Sequence, residues 1–177
     1  MEEQEAPLED VHEEIHHHAE HAREKWVMGV ALSTALLAAV AAIASLLSGD
    51  NVNEAMYDQM LASDKWNYYQ AEGIKASVLE TRIEVLKTEG KSVGQFPDKV
   101  EGYRKTRDKL KEEATKEEDS ARLRMTRHHK FAESVTWSQI AIAVSAIAVL
   151  TRQKWFWLVG LGFGAAGLYF LLWGVVR

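Results

Sequence analysis

The sequence predicts an all-α membrane protein: three transmembrane helices, with a long antiparallel helical hairpin inserted between the first and the second. Three observations predict it. Residues 27–48, 134–151 and 155–176 are apolar stretches without a charged side chain. A run of about 20 such residues, rising 1.5 Å each, crosses the roughly 30 Å hydrocarbon layer of a bilayer. Between the first stretch and the other two lies a charged, helix-forming insert with a single cluster of turn residues.

The N-terminal segment, 1–25, carries nine acidic residues against Arg23 and Lys25. It also holds His12, His16, His17, His18 and His21. On a helix His12 and His16 share a face, as do His17 and His21, and pairs at that spacing bind divalent metal through neutral imidazoles. His12, His16, His17 and His21 are therefore the candidate metal ligands, and a divalent ion is the one cofactor the sequence suggests. His12-Glu-Glu-Ile-His16 also matches the H-E-x-x-H pattern of zinc proteases. A five-residue match in a Glu/His-rich tail arises readily by chance, and no third ligand follows at a family spacing. His128 and His129 are expected across the bilayer from the tail, out of its reach within one chain.

The first span, 26–48, opens at Trp26 and is rich in Ala and Ser. Its length exceeds the 7–15 residues of a signal-peptide core, which reads as a retained anchor. The insert, 49–133, holds 17 acidic and 16 basic residues, a balance that excludes a nucleic-acid platform. Residues 51–89 read as a helix of about 60 Å, with Asp50 or Asn51 as N-cap and Glu54 closing a capping box with Asn51. Gly90 ends it, 90–97 is the turn, and Asp98 caps a second arm that runs on into the second span.

Heptad spacing in the arms is poor. Val52, Ala55, Gln59, Ala62, Trp66, Tyr69, Gly73, Ala76 and Ile83 form one stripe. Val100, Tyr103, Arg107, Leu110, Ala114, Glu117, Ala121 and Arg124 form the other. A seam with charges at core places buries little apolar surface, so either neighbouring subunits supply more or the hairpin is mobile. Trp66, Tyr69 and Gly73 are the candidate packing positions there.

The second and third spans, 134–151 and 155–176, are joined by Thr151-Arg152-Gln153-Lys154. This short basic loop, with Arg23 and Lys25, places the N-terminus in the cytoplasm and the hairpin in a bacterial periplasm. The basic run Arg122, Arg124, Arg127 and Lys130 points the other way but belongs to a long loop, where the charge rule is weak. Gly160 and Gly164 form a GxxxG, which allows close helix packing within the chain or between subunits. No ionisable group lies deep in a span. The polar candidates are Ser33, Thr34, Ser138, Gln139 and Ser145, of which Ser and Thr are commonly satisfied by their own helix.

Trp26-Val-Met-Gly-Val-Ala-Leu-Ser-Thr-Ala-Leu-Leu-Ala38, Ser45-Leu-Leu-Ser-Gly49, Ala62-Ser-Asp-Lys-Trp-Asn-Tyr-Tyr-Gln-Ala71 and Ile74-Lys-Ala76 resemble the domain of unknown function 4337 family. The resemblance implies a small bacterial membrane protein of this span arrangement. It carries no catalytic residue.

These features favour a non-enzymatic inner-membrane protein. Its expected partners are the lipid bilayer, further copies of itself as a homo-oligomer, and a protein partner for a structural, scaffold or accessory role; nucleic acid is not among them. The competing reading is an ion or solute channel or transporter whose His-rich tail gathers divalent metal. The chain has no cysteine, which excludes disulfides and thiol chemistry.

Overall fold

The computed structural model describes the backbone of residues 8–176 and the side chains of residues 25–176. Three helices make up the fold: α1 Leu8–Thr88, α2 Phe96–Thr151 and α3 Lys154–Val176. No strand occurs among the described residues. Each helix contains a segment long and apolar enough to cross a membrane.

Helix α1 runs through residues 48–51 without a break. Asp50 and Asn51 are therefore not N-caps, and no capping box forms with Glu54. The physical reason is the lack of a competing signal. The only prolines are Pro7 and Pro97, and a lone Gly49 costs a helix about 1 kcal/mol, too little to interrupt it. Asp98 is corrected as well. The first helical bond of α2 runs from the Lys99 N–H to the Gln95 carbonyl, 3.2 Å, so Gln95 is the cap residue. Asp98 lies inside the first turn, where its charge favours the positive helix end. Pro97, without an N–H, fits a turn whose donors have no helical partner.

Helix α1 stops by a Schellman motif. The Lys91 N–H bonds to the Leu86 carbonyl (2.8 Å) and the Gly90 N–H to the Lys87 carbonyl (3.1 Å). Gly90 takes φ +67°, which glycine adopts at no steric cost. Helix α2 ends the same way, with Gln153 N–H to Ala148 O (3.2 Å) and Arg152 N–H to Val149 O (3.3 Å). Here the left-handed residue is Arg152, φ +57°, where a side chain costs about 1 kcal/mol. Arg152→Gly is accordingly expected to stabilise the α2–α3 unit by up to about 1 kcal/mol. Reversible unfolding in mixed micelles, wild type against variant, measures it.

The chain forms two compact units. One comprises α1 up to Leu47, α2 from Lys130, and α3; the other comprises Ser48–His129.

In the first unit the usual size order is inverted. Its buried residues are small, with few exceptions: Ala41, Ala44, Ala141, Ala148, Ser134, Ser138, Ser145, Gly160, Gly164, Gly167 and Gly174, with Val30 and Phe131. The large apolar side chains face outward, among them Leu36, Leu46, Leu150, Trp155 and Leu172. On α2 the buried positions 134, 138, 141, 145 and 148 repeat at intervals of four and three. They face Gly160 and Gly167, seven residues apart on α3. A Cβ on Gly160 would lie 3.0 Å from the Ala141 carbonyl, and one on Gly167 would lie 3.2 Å from that of Ser134. Backbone thus meets backbone, and only glycine permits it.

The Ser48–His129 unit pairs residues of α1 with residues of α2. Contact numbers fall along α2 as they rise along α1, from Asp58–Arg124 (2.9 Å) to Glu80–Arg104 (2.7 Å), so the two arms are antiparallel. Alanines mark the seam: Ala55, Ala62 and Ala76 on α1, Ala114 and Ala121 on α2, with Leu86 and Val100 toward the turn. Small residues let the axes approach but bury little area, so polar contacts supply much of the register.

Candidate functional site

The polar contacts of the Ser48–His129 unit are its most organised chemistry. At one end His128 Nδ1 lies 2.9 Å from Ser48 Oγ and 3.0 Å from the Ser48 carbonyl oxygen. Ser48 is buried. Next comes Asp58, also buried. Its Oδ2 accepts from Ser120 Oγ at 2.7 Å and from Arg124 Nε at 2.9 Å. Glu54 pairs with the same guanidinium. One arginine of α2 thus clamps two carboxylates one turn apart on α1. Burying a carboxylate is costly unless donors compensate it, and here a hydroxyl and a guanidinium both meet Oδ2.

Further along, Lys65 reaches Glu117 (3.2 Å) and Glu113 (3.3 Å). The hydrogen bond to Glu117, joined by that to Glu113 and by their charges, holds the Lys65 ammonium above the usual lysine range against the opposing effect of burial. The bond to Glu72 raises Lys75 likewise.

Trp66, Tyr69 and Gly73 are all engaged within this unit. The Trp66 indole N–H donates to Glu118 Oε1 at 2.8 Å, and its ring meets Tyr69 edge-on at 5.3 Å. Arg107 donates to the Tyr69 hydroxyl at 2.8 Å, and its guanidinium carbon lies 4.4 Å from the ring centroid. Gly73 makes room for that side chain: a Cβ there would lie 3.3 Å from Arg107 Nε. Tyr68 points outward, 66 % exposed.

In the other unit Gly160 packs on Ser145 and Ala141, and Gly164 on Leu37; both glycines are used inside the chain. Ser33 and Thr34 bond to the Val30 carbonyl at 2.9 and 3.0 Å, as Ser and Thr in apolar helices commonly do. Ser134, Ser138 and Ser145 do not: their buried hydroxyls have no hydrogen-bond partner. A Cβ on Gly167 or Gly160 would come within 2.6 Å of the hydroxyl of Ser138 or Ser145. Gln139 is exposed. Trp157 turns inward and donates to Ser33 Oγ at 3.1 Å, and Trp137 stacks on Phe163 at 5.6 Å. The side chains of His12, His16, His17, His18 and His21 lie outside the described residues. Among those described, no three of His, Asp and Glu gather at metal-ligand distance.

Sequence reasoning missed Asp58, Ser48 and Leu86. An acidic residue on a charged arm reads as solvated, and nothing local signals that an arginine 66 positions away will cover it.

A family described as a domain of unknown function, DUF4337, matches residues 26–177. The chain belongs to the DUF4337 family. The match takes in both units and all three apolar segments, and begins at Trp26, leaving the His-rich tail outside. No curated protein and no solved structure matches this DUF4337 chain.

Proposed function

We propose that this DUF4337 protein is a non-enzymatic integral membrane protein that assembles as a homo-oligomer with a structural or scaffold role. Its three apolar segments span a bacterial inner membrane. The paired arms of residues 49–133 form a periplasmic hairpin, with the N-terminus in the cytoplasm.

One observation carries the membrane reading: the three-helix unit buries Ala, Gly and Ser while Leu, Ile, Val and Trp cover its outside. In water that arrangement wastes the hydrophobic effect; in lipid it is favourable, because helices there associate through close backbone contact and dispersion. For the oligomer the support is Gln139, a polar side chain outward on an apolar face. Facing lipid it lacks hydrogen-bond partners, and a neighbouring copy supplies them.

Native mass spectrometry from lipid nanodiscs tests the assembly. Masses at multiples of 20.0 kDa are expected, and shift toward one copy in Gln139→Leu. A single-copy mass in wild type would end the oligomer reading. The absence of cysteine allows single-cysteine labelling without background. Residues 40 and 145 should resist a membrane-impermeant thiol reagent in intact cells and in lysed membranes alike, and residue 85 should react in intact cells.

A further inference from the structure

Three of the five methionines of the chain line one groove of the Ser48–His129 unit. Met56 and Met60 come from α1, and Met125 and His129 from α2. The groove encloses about 860 Å³ and opens to solvent. Both pairs are spaced i, i+4, so each helix presents two side chains on one face, roughly 6 Å apart at Cβ.

Packing does not account for Met56 and Met60, while Met125 is half-buried. Met56 is 64 % exposed and Met60 54 %, whereas the seam beside them is built from Ala55, Ala62 and Ala121. The register that brings the four together is held by the Asp58–Arg124 clamp, since Asp58 lies between Met56 and Met60 and Arg124 precedes Met125. Thioether and neutral imidazole are soft and borderline donors. They select copper(I) and its chemical analogue silver(I) over hard cations, which require oxygen ligands. Methionine has three rotatable side-chain bonds and a polarisable sulfur, so sulfurs on adjacent turns can converge on one ion. Four neutral donors leave a net positive charge, and the Glu118 carboxylate, fixed by Trp66 at 2.8 Å, lines the same groove as counter-charge. Arg122 also lines the groove.

We propose that this groove binds a soft monovalent metal ion, copper(I) or silver(I), through the thioethers of Met56, Met60 and Met125 and the imidazole of His129. The site is distinct from the divalent site suggested for the tail histidines, and it holds whether the protein is monomeric or oligomeric.

The test uses the full chain in detergent micelles, labelled with 13C at the methionine methyl groups and titrated with silver nitrate. The methyl resonances of Met56, Met60 and Met125 should shift together and saturate at one equivalent, while that of Met28 stays in place. In parallel, competition against a chromogenic copper(I) chelator should show a loss of at least tenfold in affinity for M56L/M60L/M125L and none for M28L. Leucine keeps the volume and helix propensity, and far-ultraviolet circular dichroism checks the fold. If the triple variant does not fold, the wild-type methyl shifts decide alone. Unmoved groove methyls overturn the proposal. So does a folded triple variant that binds as wild type does, which would assign the ion to the tail histidines. A groove that instead broadens on adding an apolar helical peptide, with silver inert, would make it a docking surface.

Discussion

Arg124→Met will destabilise the paired arms by about 3 kcal/mol, the lower end of the cost of stripping one partner from a buried ion pair. The loss comes from what is left behind. Asp58 keeps only the Ser120 hydroxyl, and its side chain is 11 % exposed, too little for water to replace the guanidinium. Glu54, 58 % exposed, loses far less. Amide hydrogen exchange across residues 48–62 and 114–129 is the measurement, and a rise of about a hundredfold is expected. Two controls separate burial from charge. Arg104→Met removes an equally short contact to Glu80, but both partners are solvated, 59 % and 43 % exposed, so the loss should stay below about 1 kcal/mol. Adding Asp58→Asn to Arg124→Met should recover much of the stability, because the uncompensated charge is gone. Exchange unchanged in Arg124→Met would mean that the clamp does not set the register.

Gly167→Leu is expected to cost the three-helix unit about 2 to 3 kcal/mol, as overpacking does in a close-fitted core. A Cβ there would lie 2.6 Å from Ser138 Oγ and 3.2 Å from the Ser134 carbonyl. The hydroxyl can rotate away; the carbonyl belongs to α2 and moves only with its helix. Gly160→Leu repeats the case against the Ala141 carbonyl. Gly162 is the internal standard: nothing lies within 4 Å of its Cβ position, so Gly162→Leu should be neutral or slightly stabilising through helix propensity. Unfolding in mixed micelles, followed through tryptophan fluorescence, compares the three. Equal behaviour of Gly162→Leu and Gly167→Leu would refute the close α2–α3 seam.

Helices and their ends differ in how well local residues encode them. The apolar stretches, the proline-free arms and Gly90 each act within a few residues, so α1, α2 and α3 are legible along the chain. The caps at Asp50, Asn51 and Asp98 read wrongly for the same local reason: a capping residue is a signal only where something stops the helix. Between Ala44 and Asn53 nothing does, and α1 continues.

The packing sites divide in a similar way. Trp66, Tyr69 and Gly73 stand out by composition, and the structure engages all three across the arms. Gly160 and Gly164 stand out as a motif, yet their partners, Ser145 and Leu37, follow only from the register of three helices. Met56, Met60 and Met125 are unremarkable one at a time. Only pairing across 65 or more residues of chain gathers them with His129 in one groove.

Composition and periodicity by themselves determined that this chain is helical and carries three segments apolar enough to span a bilayer, because both properties sum over neighbouring residues. Which side chains became small-residue core, which carboxylate was buried, and which methionines came to line one groove with His129 was decided only by tertiary structure. Those outcomes depend on the register between helices distant in sequence, and that register is fixed by contacts such as Asp58–Arg124 and Gly167–Ser134, where one turn of slippage would unpair a charge or drive a backbone into a side chain.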